Sequence, residues 1–184
     1  VISLISFGFK LSIVDFSIPV NSDNLEYTLF AIAHTNGDFS QSIQRGMGWS
    51  LFTSTFFYFI DSEDFFDYSN TIRTLSMMVG ISSIPVMYLI GRKFFDHRYS
   101  LVLASFFAFE PHLNYNSTLG LAEPLFILAT IGAFYFILNH NTRFIIISLI
   151  LAGIAYWIRI NGVWVFVVIS IIYFIKKKLI LYNI

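Results

Sequence analysis

Asp23 and Glu26 stand three residues apart in the segment Asn21-Ser22-Asp23-Asn24-Leu25-Glu26-Tyr27. On a helix that starts near Ser22 or Asp23, this spacing turns both carboxylates to one side. There they can divide general-base and binding roles toward a substrate. The same residues also fit a capping box, Ser22 or Asp23 followed by an acid in the next turn, and the two readings are compatible.

A second group is Asn114-Tyr115-Asn116-Ser117-Thr118-Leu119-Gly120-Leu121-Ala122-Glu123-Pro124, a turn that feeds an apolar run and carries Glu123 at its start. An ionisable group at membrane depth needs a polar cavity, or a helix N-terminus whose dipole it offsets, and the pattern suits both. Asn116-Ser117-Thr118 matches a glycosylation sequon, though so close to an apolar run a chance match explains it better. A third group is Arg159 with Asn161 and Gly162. A guanidinium at headgroup level can grip a phosphate bidentately, or simply snorkel to a lipid headgroup. His34 and His112 could ligate a divalent metal beside the outer acids, but no two histidines have ligand spacing; metal dependence is unknown from sequence.

The elements that must position these groups are apolar. Apolar residues make up 57% of the 184 residues and charged ones 12%, with mean hydropathy +0.73, against about 45 to 50% and about 25% in a soluble domain. That is a membrane composition. The 22 Phe and 10 Tyr include rings near the ends of apolar runs, such as Tyr68, Tyr88, Tyr99, Trp157, Trp164 and Tyr182, where the headgroup zone favours them. A net charge of zero, with the basic residues clustered beside apolar runs, argues against a nucleic-acid surface. The absence of cysteine removes disulfides, thiolate zinc and a Cys nucleophile.

About 20 apolar residues cross a bilayer as a helix. The runs predict an all-α, polytopic bundle of about six spans, over 1–16, 71–91, 99–115, 119–138, 144–158 and 162–176. Residues 1–16 lack the start and cleavage site of a signal peptide and read as a clipped first span. Read as one helix, residues 144–175 would reach about 48 Å, and Asn161-Gly162 is a turn signal, so a tight helical hairpin is preferred. The loop 17–69 contains two stretches too short to span, Glu26 to His34 and Trp49 to Ile60, expected to lie along the interface as a lid.

Orientation follows from the basic residues. Placing 92–98 in the cytoplasm puts 139–143 and 176–184 there too, and collects seven of the eleven: Arg92, Lys93, Arg98, Arg143, Lys176, Lys177 and Lys178. The other face keeps Arg45, Arg73 and Arg159 and takes most of the acids: Asp23, Glu26, Asp38, Asp61, Glu63, Asp64, Asp67, Glu110 and Glu123. The polar chemistry therefore faces away from the cytoplasm.

Several segments, in order, resemble the GT-C glycosyltransferases, specifically the protein-mannosyltransferase and aminoarabinose-transferase-like branch. They are Ser22-Asp23-Asn24-Leu25-Glu26-Tyr27, Gly48-Trp49-Ser50-Leu51-Phe52, Leu89-Ile90-Gly91-Arg92-Lys93-Phe94-Phe95, Leu119-Gly120-Leu121-Ala122-Glu123-Pro124-Leu125-Phe126, and Leu151-Ala152-Gly153-Ile154-Ala155-Tyr156-Trp157-Ile158-Arg159-Ile160-Asn161-Gly162. The resemblance implies an inverting transfer of a hexose or mannose-like sugar from a polyprenyl-phosphate donor to an acceptor hydroxyl on the outer face of the plasma membrane or endoplasmic reticulum. Its partners are then membrane lipids, the lipid-linked donor and an acceptor that is protein, glycan or lipid. Asp23 matches the family's acid at the start of the first outer loop and is the expected general base, with Glu26 and Tyr27 shaping the site. Arg159 or Arg73 is expected to hold the donor phosphate, and Glu123 and Asn161 to bind substrate. Many relatives carry an adjacent Asp-Glu pair, whereas here Asn24 follows Asp23, which leaves the second carboxylate's role open. The resemblance also implies that residues 1–184 form the N-terminal transmembrane portion of a longer enzyme. The competing class is a non-enzymatic multispan protein such as a transporter or lipid-carrier subunit. Such proteins tend to place ionisable groups at the midplane in repeated halves, and no repeat is visible.

Overall fold

The computed structural model describes residues 1–18, 22–40, 46–60, 62, 64–139 and 141–182. Among them the chain is all-α, with nine helices: α1 Ile2–Ile13, α2 Ser22–Thr35, α3 Gly48–Phe57, α4 Phe65–Gly91, α5 His97–Ala108, α6 Pro111–Thr118, α7 Glu123–Ile137, α8 Thr142–Ile158 and α9 Gly162–Tyr182. Asn21, Arg45, Asp61, Glu63 and His140 lie outside the described residues.

The starts of α4, α5, α6 and α8 follow from side-chain caps, which satisfy amides that have no partner within the helix. Asp64 accepts from the Phe66 amide at 2.9 Å, so α4 begins at Phe65, inside what the sequence suggested was still loop. Asp96 accepts from the Tyr99 amide at 3.1 Å and Asn141 from the Arg143 amide at 2.9 Å. The expected span over 99–115 holds two helices. Glu110 caps α6 by accepting from the Leu113 amide at 2.6 Å, and Pro111 at the start of that helix has no N–H to continue the one before it.

Helix α4 is central, packing against α1, α5, α6 and α7, while α7, α8 and α9 form consecutive hairpins. Small residues let α7 and α8 approach closely: the Ser148 hydroxyl donates to the Ala133 carbonyl at 2.7 Å, and Ala133 and Ala152 are fully buried. Outward faces stay apolar, with Ile146, Ile150, Phe166, Ile171 and Phe174 exposed, as expected of a surface solvated by lipid. Among the described residues only α4, at 27 residues, is long and apolar enough to cross a membrane unaided; α1, α7, α8 and Gly162–Lys176 are apolar but shorter.

The α8–α9 hairpin depends on Gly162. A Cβ there would lie 2.3 Å from the Ala155 carbonyl carbon and from the Tyr156 amide nitrogen, both rigid backbone. Gly162→Ala is therefore expected to cost about 2 kcal/mol, read as a lower midpoint in thermal unfolding in detergent. An unshifted midpoint would show that the hairpin opens without penalty.

Residues far apart in sequence meet at each end of the bundle. At one end Lys93 donates to the Asn139 side-chain oxygen at 3.0 Å and Lys176 to the Asn139 carbonyl at 3.3 Å. At the other lie α2, α3, the α6–α7 turn and the α8–α9 turn. There Gly48 packs directly on Ile158, its missing Cβ leaving room that would otherwise close to 2.8 Å.

Candidate active site

The backbone leaves helical geometry after Thr118 and turns through Gly120, at φ +77°, before α7 begins. Carbonyls in such a break have no partner of their own, and in an apolar medium an unmet one costs several kcal/mol. Here four successive carbonyls are taken by side chains from three other helices. Arg73 Nε donates to Thr118 O at 3.0 Å, Asn24 Nδ2 to Leu119 O at 2.7 Å, Trp49 Nε1 to Gly120 O at 3.1 Å, and the Ser76 hydroxyl to Leu121 O at 3.0 Å. All four donor residues are buried. The turn is thus bonded to α2, α3 and α4 at once. Gly120 is needed for space as well as for its φ, because a Cβ would sit 2.3 Å from Asn24 Nδ2.

Asn24 explains the departure from an adjacent acid pair. It is fully buried; its Nδ2 donates to Leu119 O, and its Oδ1 accepts from the Thr28 and Ser69 hydroxyls at 3.2 and 3.1 Å. A carboxylate has no donor for Leu119 O. Asp23 and Glu26, on either side of this anchor in α2, are half-buried. Tyr27 is 5% exposed and packs in the core with Trp49, Ile72, Leu121 and Ile158. Trp49 is likewise fully buried, where the sequence suggested an interfacial stretch.

Arg73 is held on α4 with its guanidinium 5.0 Å above the Phe16 ring, and one terminal nitrogen donates to Asn70 Oδ1 at 3.4 Å. It borders a cleft of about 550 Å³ whose walls include Phe9, Ile13, Asp15, Phe109 and Tyr115. Asp15, which sequence reasoning did not single out, accepts from the Ser17 hydroxyl and amide; these bonds, and then the charge of Arg73, hold its carboxyl below the usual range.

Glu123 and Arg159 form a direct ion pair between the first turn of α7 and the end of α8. Both are partly exposed, so the pair adds little to stability, but it fixes the α8–α9 turn against the α6–α7 turn. Asn161 is exposed in that turn. Asn116 is buried in α6 beside His112, 3.3 Å away, which leaves its sequon inaccessible. His34 is buried and stacked on Phe39 at 5.1 Å between ring centres. Among the described residues no three His, Cys, Asp or Glu side chains are grouped to hold a metal ion.

Arg73 bonds this turn directly, the Glu123–Arg159 pair stands just after it, and Asp23 and Glu26 flank in sequence its α2 anchor, Asn24. Of the residues that build the turn with Arg73, Asn24 was noted in sequence as the break in an acid pair and Trp49 as part of a family-like segment, while Ser76 carried no signal. A model of the dolichyl-phosphate-mannose-protein mannosyltransferase family matches residues 25–180. The match takes in Glu26, Tyr27, Arg73, Glu123, Arg159 and Asn161 and begins just after Asp23 and Asn24. No curated protein and no solved structure matches the chain. The family match spans most of the sequence, and the chain accordingly belongs to the dolichyl-phosphate-mannose-protein mannosyltransferases, a family of membrane-embedded glycosyltransferases.

Proposed function

We propose that this protein transfers a mannose-like hexose, with inversion, from a polyprenyl-phosphate donor to an acceptor hydroxyl, with Asp23 as general base. The observation that carries the reading is the bonding of the first turn of α2 to the α6–α7 turn and to Arg73 through Asn24 and Thr118. This brings acids and a guanidinium to one end of the bundle, opposite Lys93 and Lys176. An acid beside an acceptor hydroxyl raises its nucleophilicity as the proton leaves, and a cation offsets the charge on the departing lipid phosphate. Glu26 lies one turn on, where it can orient the acceptor.

Of the two arginines, Arg73 suits the phosphate better. Arg159 is ion-paired with Glu123, whereas Arg73, hydrogen-bonded among the described residues only to neutral Thr118 O and Asn70 Oδ1, borders a cleft whose walls are largely apolar, with Asp15 among them. Glu123, Arg159 and Asn161 then line the sugar side of the site. In this reading α1, α4, α5 with α6, α7, α8 and α9 make six crossings, multi-pass in the plasma membrane or endoplasmic reticulum, with α2 and α3 on the non-cytoplasmic face. Arg73→Lys keeps the charge but not the planar fork, and is expected to lower kcat/KM for the donor about tenfold. Equal donor dependence in the two proteins would free Arg73 from this role.

The test is transfer from a polyprenyl-phosphate-linked mannose to a hydroxyl acceptor by the full-length protein in nanodiscs, comparing wild type with Asp23→Asn. Unchanged transfer in the variant removes Asp23 as the base.

A further inference from the structure

Lys10 is 3% exposed in the last turn of the apolar helix α1, and burial is costly for a cation unless it is fully bonded. Its Nζ donates to the Ser117 hydroxyl at 2.6 Å, which passes its own hydrogen to the Asn114 carbonyl at 2.8 Å. Two ammonium hydrogens remain. Beside them lies a small cavity of about 20 Å³ whose walls include apolar Ile84, Phe107 and Pro124 as well as Lys10, Asn114 and Glu123.

Asn114 supplies an independent sign of an occupant. Its Nδ2 spends both hydrogens, on Glu110 O at 2.8 Å and Ala108 O at 3.2 Å, which fixes Oδ1 as the remaining acceptor. That oxygen is buried with no partner, although Asn114 is only 3% exposed. An orphaned acceptor calls for a donor, and a cation calls for an acceptor. A water supplies both, and about 10 to 15 Å³ is room enough for one.

We propose that this cavity holds one ordered water that accepts from Lys10 and donates to Asn114 Oδ1 and to the Glu123 carboxylate. Glu123 is then shared by two cations, Arg159 directly and Lys10 through the water. Lys10 becomes a positioning residue that ties α1 to the α6–α7 turn from behind, while α2, α3 and α4 tie it from the front. The water needs no assumption about the reaction, so its failure and that of glycosyl transfer are separable.

The test pairs a structure of the full-length protein in nanodiscs, at a resolution that shows ordered water, with thermal unfolding of Lys10→Met, Glu123→Gln and the double variant. Density for one water between Lys10, Asn114 and Glu123 is expected. The double variant's midpoint should fall by about 4 °C less than the sum of the two single falls. Lys10→Gln replaces Lys10→Met in the cycle if the latter does not fold. A dry cavity, or strictly additive midpoints, overturns the proposal.

Discussion

Sugar transfer by the full-length protein is expected to fall about 10²- to 10⁴-fold when Asp23 is replaced by Asn, the range that a positioned general base contributes. The substitution keeps the size and shape of the side chain and removes its charge and its capacity to take a proton. Anchoring of α2 rests on the neighbouring Asn24, whose bond to Leu119 O is unaffected, so the folded fraction should not change. Glu26→Gln separates the two acids. Placed one helical turn away, Glu26 is expected to set acceptor binding, with about a tenfold loss concentrated in KM. If Glu26→Gln gave the larger fall in kcat, the base would be Glu26 and Asp23 the orienting group.

Local features carried much of the fold. Apolar runs located α4, α7, α8 and α9, and Asn161-Gly162 marked the hairpin, whereas the break at Glu110-Pro111 was read as part of one span over 99–115. Charge counting grouped 92–98, 139–143 and 176–184, and Lys93, Asn139 and Lys176 do meet. The site was less legible, because its bonds run between distant positions and end on backbone carbonyls, which have no residue signature. Trp49 to Gly120 and Asn24 to Leu119 each join residues more than seventy positions apart. Lys10 was invisible for a related reason: a single cation in an apolar run looks like a residue at the membrane surface until Ser117 and Asn114 are brought beside it. Asn24 was read as a gap in an acid pair, yet it is the residue that holds that pair in place.

Asn24→Asp tests that inversion, and is expected to destabilise the protein by about 3 kcal/mol near neutral pH. The new carboxylate would be fully buried, with one oxygen 2.7 Å from Leu119 O where a hydrogen bond now stands. The Thr28 and Ser69 hydroxyls can still donate to the other oxygen, which offsets only part of the cost of burying a charge. Protonation offers an escape, since a neutral carboxyl can donate to Leu119 O and restore the native pattern. Burial beside a carbonyl raises the folded-state pKa of the introduced acid above its unfolded value of about 3.9. Between those two values the folded state binds more protons than the unfolded, so stability falls as pH rises through the window and is best preserved below it. Thermal unfolding of wild type and variant across pH 4 to 7.5 should therefore show a gap that widens with pH. A gap of constant size would mean that Leu119 O is satisfied in some other way and that Asn24 is not the anchor of the site.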